Sequence, residues 1–391
     1  MLLKRTGVPG PAPVATVAAL ALGLFSLSTV ESLPVGLMPM IASDLGVSLR
    51  AAGLLVTAYG AVVTIASVPL THVVRRVNRK RLIMTTLAVL VASTLVAAIA
   101  PGYGSLLAAR MGSALAHAVY WSIVASTATS LFARRVSGRV VAGLFTGVSL
   151  ATVAGVPAGT WLGQEFGWRV PFVVLAALGL LALAVVVVTL PDLAPRAETE
   201  RSAAPDARVF WLLMSVIALL VCGVFTVYTY ITAYVTDVGG LPASAIGPTL
   251  LGAGVAGIAG SAIGGMIVDR WPRPAFMVSA GLLASATLGL SCAAGRPWLV
   301  VGLIALLGGS MAAMTTCLQS RILRVAPRSP DVASAIGSSM FNIGIAGGSA
   351  LSGVLLTAVG LDGSALVGGL IAFTAVLVLS AERFVTASDR T

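Results

Sequence analysis

The chain has 391 residues, of which 58% are hydrophobic and only 9% are charged. A soluble globular protein carries about 25% charged residues, so this composition excludes a soluble domain and indicates a protein embedded in lipid. The net charge of +11 would suggest a nucleic-acid partner in a soluble protein. In a membrane protein such an excess first indicates topology, so no nucleic-acid partner is predicted.

Long apolar runs follow one another along the whole chain. A membrane-spanning helix needs about 20 mostly apolar residues. The first run follows Lys4 and Arg5, but it is too long for a signal peptide and contains Glu31, so we predict that it is a retained span. The sequence predicts an all-α integral membrane protein with twelve transmembrane helices, at residues 14–40, 51–71, 82–100, 105–130, 140–163, 170–190, 210–235, 245–268, 275–294, 298–318, 333–359 and 364–382.

The basic residues are distributed unequally between the two sides. An even number of spans puts both termini on one side, and that side collects 20 of the 24 lysines and arginines. The opposite side keeps Arg50, Arg169 and Arg296, and Arg110 lies within a span. Because cytoplasmic loops are enriched in cations, we predict a multi-pass protein of the cell inner membrane with both termini in the cytoplasm.

A polar, proline-containing stretch divides the chain into two halves. Residues 191–209 form the predicted cytoplasmic linker. They separate a six-helix bundle at 1–190 from a second one at 210–391, which ends in a short cytoplasmic tail. Arg76 and Arg79 after the second span correspond to Arg270 and Arg273 after the eighth. Two pseudo-symmetric six-helix bundles with a site near the membrane midplane are typical of transporters.

Ionisable side chains inside a bilayer are costly and mark function by default. The interiors of the predicted spans contain three of them: Glu31, Arg110 and His117. Glu31 is the predicted proton carrier, and a nearby Arg110 would favour its charged form; the alternative is a permanent structural ion pair. His117 lies two helical turns after Arg110 on the same face. It would relay a proton or contact substrate, or it is a hydrogen-bonded packing residue.

Further side chains are candidates for contact with a substrate. Tyr120 and Trp121 continue the stripe of Arg110 and His117 along the fourth span. Tyr228 lies in the seventh span, where the alternative for the neighbouring tyrosines is an interfacial aromatic belt. Asn342 lies well inside the eleventh span, and its amide needs a partner from a neighbouring helix or from a ligand.

The loop RRVNRKR at 75–81, with Arg75 in place of Asp and Asn78 in place of Gly, resembles the signature between the second and third spans of the major facilitator superfamily. The resemblance to this family extends over nearly the whole chain. GVPAG at 155–159 resembles the antiporter motif of the fifth span, with Val156 in place of its second Gly. ESLPVGLMP at 31–39, ALAHAVYWSIVAS at 114–126 and FNIG at 341–344 are similar to bacterial sugar-efflux proteins. That subgroup belongs to the drug:proton antiporter branch and includes chloramphenicol-efflux proteins.

The resemblance implies a set of gating residues. The candidates are the loop residues Arg76 and Arg79, the helix-loosening Gly155 and Pro157, and the second-half signature residues Asp269 and Arg270. The alternative for the basic loop is that it sets topology and meets anionic lipid headgroups. The alternative for the glycines is close helix packing.

The sequence therefore predicts a secondary transporter that exports a small organic solute, either a sugar or an amphipathic drug, by proton antiport and alternating access. The proton gradient would supply the energy, no cofactor or metal is predicted, and a monomer suffices. One alternative is a proton symporter or a facilitator for import. A remote alternative is a membrane-embedded enzyme, but the spans offer neither a metal triad nor a pair of acids.

Overall fold

The computed structural model describes residues 11–74, 76–132, 137–193, 206–268, 270–325, 330–380 and 382. This part of the chain forms twelve long helices, which confirms the predicted all-α membrane fold. They are α1 Pro11–Asp44, α2 Leu49–Val74, α3 Arg79–Ala98, α4 Tyr103–Ser130, α5 Ser137–Phe166, α6 Val170–Thr189, α7 Ala207–Tyr228, α8 Ile246–Val268, α9 Pro272–Gly289, α10 Pro297–Val325, α11 Pro330–Ala358 and α12 Gly360–Ser380.

Eleven of the described helices are long and apolar enough to cross a membrane. The remaining helix is α4, which carries Arg110, His117 and several serines and threonines. Its 28 residues still give a length of about 42 Å, more than the roughly 30 Å hydrocarbon core requires. We therefore treat α4 as the polar member of the set of twelve.

The helical backbone is irregular at two places, one within α5 and one after α7 at the far side of the bundle. In α5 the segments Ser137–Leu150 and Val156–Phe166 are joined by a π-helical turn at Ala151–Gly155. After α7 the backbone breaks at Tyr230 and continues as Ile231–Ala233. Such π turns and breaks frequently mark functional positions.

Polar side chains fix the beginnings of two helices. Asn78 caps α3, and its side-chain oxygen accepts hydrogen bonds from the amides of Lys80 and Arg81 at 2.9 and 3.3 Å. Asp206 caps α7 in the same way. Since α7 begins at Ala207, the helix starts two residues before the predicted end of the linker at 209.

The packing of the first six helices is repeated by the last six. In the first half, α1 packs on α5 and α6, α3 packs on α4 and α6, and α2 packs on α4. In the second half, α7 packs on α11 and α12, α9 packs on α10 and α12, and α8 packs on α10. Each pair recurs at an offset of six helices, which is the pseudo-symmetry that the repeated sequence motifs indicated.

The halves meet along two seams, α2 against α11 and α5 against α8. We call the membrane side on which α2 ends and α3 begins the linker side, because α7 also begins there after the linker. The other side is the far side. A cavity lies between the two seams and is lined by both halves.

Candidate functional site

The cavity between the halves has a volume of about 1170 Å³, above the 300–1,000 Å³ typical of small-molecule sites. Its lining includes Thr71 and Val74 at the end of α2, Ser130 at the end of α4, and Val332 near the start of α11. All these positions lie at the linker side, so the cavity extends to that side. It has the size and position of a central site for a small molecule.

Helical periodicity explains which side chains reach the cavity. On α1, Ser28, Ser32 and Val35 line it at intervals of three and four residues, which is one helix face. On α4 the lining face runs from Arg110 through His117. It continues toward the linker side through Trp121, Ala125 and Thr129.

Arg110 is bound to the backbone of α1. Its guanidinium donates to the carbonyl oxygen of Val30 and, at 3.0 Å, to that of Glu31. Pro34 has no backbone N–H and therefore cannot make the usual helical bond to Val30, four residues earlier. The guanidinium carbon also lies 4.5 Å from the centre of the Tyr59 ring, in the range of a cation–π contact. Arg110 thus contacts Glu31 through the backbone carbonyl group of Glu31.

The Glu31 carboxylate faces His117. Its Oε2 lies 3.5 Å from Nδ1 of His117, and the same nitrogen lies 3.0 Å from the hydroxyl of Tyr59. His117 is buried, whereas the Glu31 side chain is 19% exposed. One ring nitrogen therefore lies within reach of both a cavity carboxylate and a buried phenol, and it donates or accepts a hydrogen bond there according to the tautomer of the ring.

The aromatic wall of the cavity comes from both halves. Trp121 lies beside His117, with ring centres 5.5 Å apart, and meets Phe145 of α5 edge-on at 5.6 Å. Tyr228 of α7 and Asn342 of α11 line the cavity in the second half. The structure thus brings Glu31, Arg110, His117, Trp121, Tyr228 and Asn342 to one cavity.

Tyr120 does not belong to this lining, contrary to its assignment from the sequence. Its hydroxyl donates to the carbonyl oxygen of Leu20 at 2.9 Å, and its ring packs among Leu24, Leu87 and other buried residues. The reason is the direction in which consecutive residues point around the helix axis. Trp121 lies four residues after His117 and shares its face, whereas Tyr120 points toward α1 and α3.

The candidate gating residues are separated from one another. Gly155 ends the π turn of α5 and packs against Thr29 of α1, and Pro157 follows in the next helical segment. Arg79 is buried at the linker end of the cavity, while Arg76 and Arg270 lie in exposed turns. Asp269 lies outside the described residues.

Two contacts join the halves at the far side. Tyr230, at the break after α7, is buried and packs its ring against Gly53 of α2. Between α5 and α8, Gln164 donates to the carbonyl oxygen of Ala243 at 2.9 Å. Neither of these contacts was predicted from the sequence.

The sequence also missed a buried ion pair at the linker side. Arg321 of α10 pairs with Glu382 after α12, and Arg273 lies 3.4 Å from the same carboxylate oxygen. Arg321 was left out of the candidates because the predicted span ended at 318, whereas α10 extends to Val325. The described residues contain no group of three or more His, Cys, Asp and Glu side chains arranged to hold a metal ion.

Tyr59 was missed for a different reason. A tyrosine in the middle of a span needs a partner for its hydroxyl, and that need was the available signal. The sequence offered no way to identify His117 as the partner, since 58 residues separate the two positions.

Three comparisons bear on the identity of this fold. A sequence profile of the Major Facilitator Superfamily matches residues 20–330. The chain is 34% identical over 387 residues to the "Uncharacterized MFS-type transporter YtbD" of Bacillus subtilis (strain 168), covering 95% of this chain and 96% of that protein. It is 31% identical over 369 residues to a "Probable sugar efflux transporter" of Helicobacter pylori (strain P12), covering 94% of each.

Solved structures share the fold. One is the crystal structure of a bacterial homolog of the human lysosomal transporter Spinster, in an inward-facing and unoccupied conformation. It superimposes with a TM-score of 0.70 at 16% identity, covering 94% of this chain and 96% of that one. At this identity the comparison establishes the architecture alone.

Proposed function

This chain belongs to the Major Facilitator Superfamily, a family of membrane transporters, and on that premise we propose that it exports a small organic solute in exchange for protons. The proposal rests on one observation above all. Glu31 is the acidic side chain among the described residues that line the central cavity, and its carboxylate lies beside His117, not in a closed pair with Arg110.

Proton exchange follows from the chemistry of this cluster. When Glu31 is ionised, the Nδ1–H of His117 donates toward its carboxylate. When Glu31 is protonated, its O–H donates to Nδ1, and the histidine proton resides on the other ring nitrogen. A bound solute that competes for the carboxylate would displace the proton, which is the exchange that antiport requires. Arg110, held by two carbonyl groups, supplies a fixed positive charge nearby.

The distribution of charge supports an orientation of the cavity in the membrane. The linker side carries most of the basic residues, which favours its placement in the cytoplasm, within the inner membrane. In that orientation the cavity opens inward, and solute loads from the cytoplasm. Relatives named as sugar efflux transporters support an export direction, and the aromatic wall suits either a sugar or an amphipathic drug.

Everted vesicles provide the test. Vesicles carrying the protein are acidified inside, and a panel of radiolabelled sugars and amphipathic dyes is screened for accumulation. We expect accumulation of at least one compound that collapses with nigericin, together with proton release when that compound is added. Uptake that is indifferent to the gradient would point to a facilitator and contradict the proposal.

Substitution of the carboxylate separates coupling from binding. Glu31→Gln is expected to abolish concentrative uptake while retaining downhill counterflow, because the amide cannot carry the proton. The matched control is Glu165→Gln, an exposed acid at the far end of α5, which should behave as wild type. A Glu31→Gln variant that still concentrates the compound would overturn the assignment.

A further inference from the structure

Many hydroxyl groups in the cavity wall have their protons engaged by the helix backbone. On α4, Ser126 and Thr129 donate to the carbonyl oxygens three and four residues earlier, at 3.0 and 2.9 Å. Thr152 of α5 and Thr315 of α10 donate to the carbonyl oxygens four residues earlier, at 3.3 and 2.9 Å. All four side chains belong to the cavity wall, so hydroxyl groups from both halves share this arrangement.

This arrangement leaves oxygen lone pairs for a solute. A hydroxyl group has one proton to donate and two lone pairs with which to accept. A donor on the solute adds a hydrogen bond to such an oxygen without breaking one. An acceptor on the solute gains a bond only if the hydroxyl group turns away from its backbone carbonyl, which exchanges one bond for another. These hydroxyl groups therefore favour a solute that donates.

The amide of Asn342 follows the same pattern in the second half. Its Nδ2 donates to the carbonyl oxygen of Ser338 at 3.0 Å, and this bond fixes which end of the amide is the oxygen. The Oδ1 atom has no hydrogen-bond partner among the described residues, although the residue is buried and lines the cavity. A buried acceptor without a partner is unfavourable, so this position also favours a donor from the solute.

Donors that face the solute are fewer in the described wall. The indole N–H of Trp121 can only donate, and the hydroxyl of Tyr228 can donate or accept. The two terminal nitrogens of Arg110 already donate to carbonyl groups of α1, and Arg79 lies at the linker end of the cavity. Acceptors therefore dominate the part of the wall between the linker end and Glu31.

The same preference holds at Glu31, whose side chain lines the cavity beside His117. An ionised carboxylate accepts hydrogen bonds and donates none, and a hydrogen bond to the charged form favours that form. A solute O–H or N–H that reaches Glu31 therefore helps to expel its proton. An acceptor on the solute instead takes the hydrogen bond of the protonated carboxyl group and keeps the proton in place.

We propose that the cavity selects its substrate by hydrogen-bond donors. The substrate is a solute that carries several O–H or N–H groups, and a molecule whose polar atoms are all acceptors is excluded even when its size and apolar surface match. One of the donors engages Glu31 and releases its proton. The consequence for export rests on the proposed function, whereas the preference for donors rests on the geometry of the wall and is tested separately.

Equilibrium binding tests the preference without transport. The protein in nanodiscs is titrated calorimetrically with phenyl β-D-glucopyranoside, xylitol and 4-hydroxyacetanilide, and with the partner of each in which every O–H and N–H is methylated. Empty nanodiscs correct for partition into lipid. Because methylation removes donors and keeps acceptors, we expect at least one parent to bind and its methylated partner to bind about tenfold more weakly or worse. A methylated partner that binds as tightly as its parent, or no binding by any parent, would overturn the proposal.

Removal of single acceptors locates the preference in the wall. Thr129→Val and Thr315→Val each delete one hydroxyl group and keep the shape of the side chain. Each should weaken binding of the parent about threefold to tenfold, as expected for one hydrogen bond, and leave the methylated partner unaffected. Thr127→Val is the matched control on α4, because Thr127 makes the same intrahelical bond, at 2.7 Å, but is buried outside the cavity lining. Equal effects on parent and partner, or none on either, would contradict the proposal.

Proton release separates this inference from the proposed function. In weakly buffered solution the parent that binds should release protons from the protein, and its methylated partner, added at a saturating concentration, should not. Release by both compounds would contradict the role of a donor at Glu31 and the proposal with it. A parent that binds in preference to its partner but is never concentrated in acidified everted vesicles would refute the proposed export and leave the donor preference standing.

Discussion

Arg110 replaces the hydrogen bond that Pro34 removes from α1. Pro34 has no N–H to donate to the carbonyl of Val30, and the guanidinium of Arg110, from a different helix, donates to that carbonyl instead. A buried cation is thereby anchored by the backbone one residue from Glu31. The Glu31 carboxylate consequently remains available to His117.

Restoring the missing donor should weaken this anchor. In Pro34→Ala the new N–H competes for the carbonyl of Val30, so we expect proton-coupled uptake to fall about fivefold to thirtyfold, in line with the loss of about one to two kcal/mol of hydrogen bonding to a charged group. Pro39→Ala, an exposed proline one turn further on α1, is the control. Similar loss in both variants would show that general helix flexibility, not the Arg110 anchor, is responsible.

The phenol of Tyr59 should matter for coupling and not for the position of Arg110. Tyr59→Phe keeps the ring under the guanidinium but removes the hydroxyl that reaches His117. Because a net hydrogen bond contributes about 0.5–1.5 kcal/mol, we expect a twofold to tenfold lower rate of gradient-driven uptake, with downhill counterflow unchanged. Wild-type coupling in Tyr59→Phe would exclude the phenol from the proton path.

The seam between α5 and α8 should tolerate no side chain at Gly254. A Cβ there would lie 2.6 Å from the Cα of Val153, so Gly254→Val must force the helices apart at the π turn. We expect transport to fall more than tenfold. Gly252→Val has no atom within 4 Å of its Cβ and should keep wild-type activity, measured at equal amounts of folded protein.

Breaking the buried pair at the linker side should destabilise the second half. Glu382→Gln leaves the Arg321 charge buried with a weaker partner, a change that costs about 3–5 kcal/mol in comparable sites. The readout is the thermal unfolding midpoint in detergent. Arg273→Gln, whose side chain is 43% exposed, should cost far less, and the double variant Arg321→Met/Glu382→Leu should recover most of the loss. No recovery would argue against a simple pairwise interaction.

Tyr120 should behave as a packing residue. Tyr120→Phe removes the hydrogen bond to the carbonyl of Leu20 and should lower the free energy of unfolding by about 1 kcal/mol without altering the range of transported compounds. Trp121→Phe alters the neighbouring residue, which lines the cavity. This variant should change the range of transported compounds. A shifted range in Tyr120→Phe would restore its role in binding.

The sequence by itself determined the fold and the main candidates. A low charge content and repeated apolar runs suffice to predict twelve membrane helices, because an α-helix makes all its backbone hydrogen bonds within one segment, as the lipid interior requires. An ionisable residue within an apolar run can be recognised from the sequence alone, and its burial in lipid is costly. Glu31, Arg110 and His117 could therefore be identified without coordinates. Helical periodicity then put Arg110 and His117 on one face.

Tertiary structure decided the partners. The contact of Tyr59 with His117 and of Arg110 with Val30 depends on which helices are neighbours and how each is rotated about its axis. A rotation of one residue exchanges a cavity position for a packed one, which is why Trp121 lines the cavity and Tyr120 does not. The close approach of Gly254 in α8 to Thr152 and Val153 in α5 likewise depends on how the two halves pack, which no residue pattern within one helix specifies.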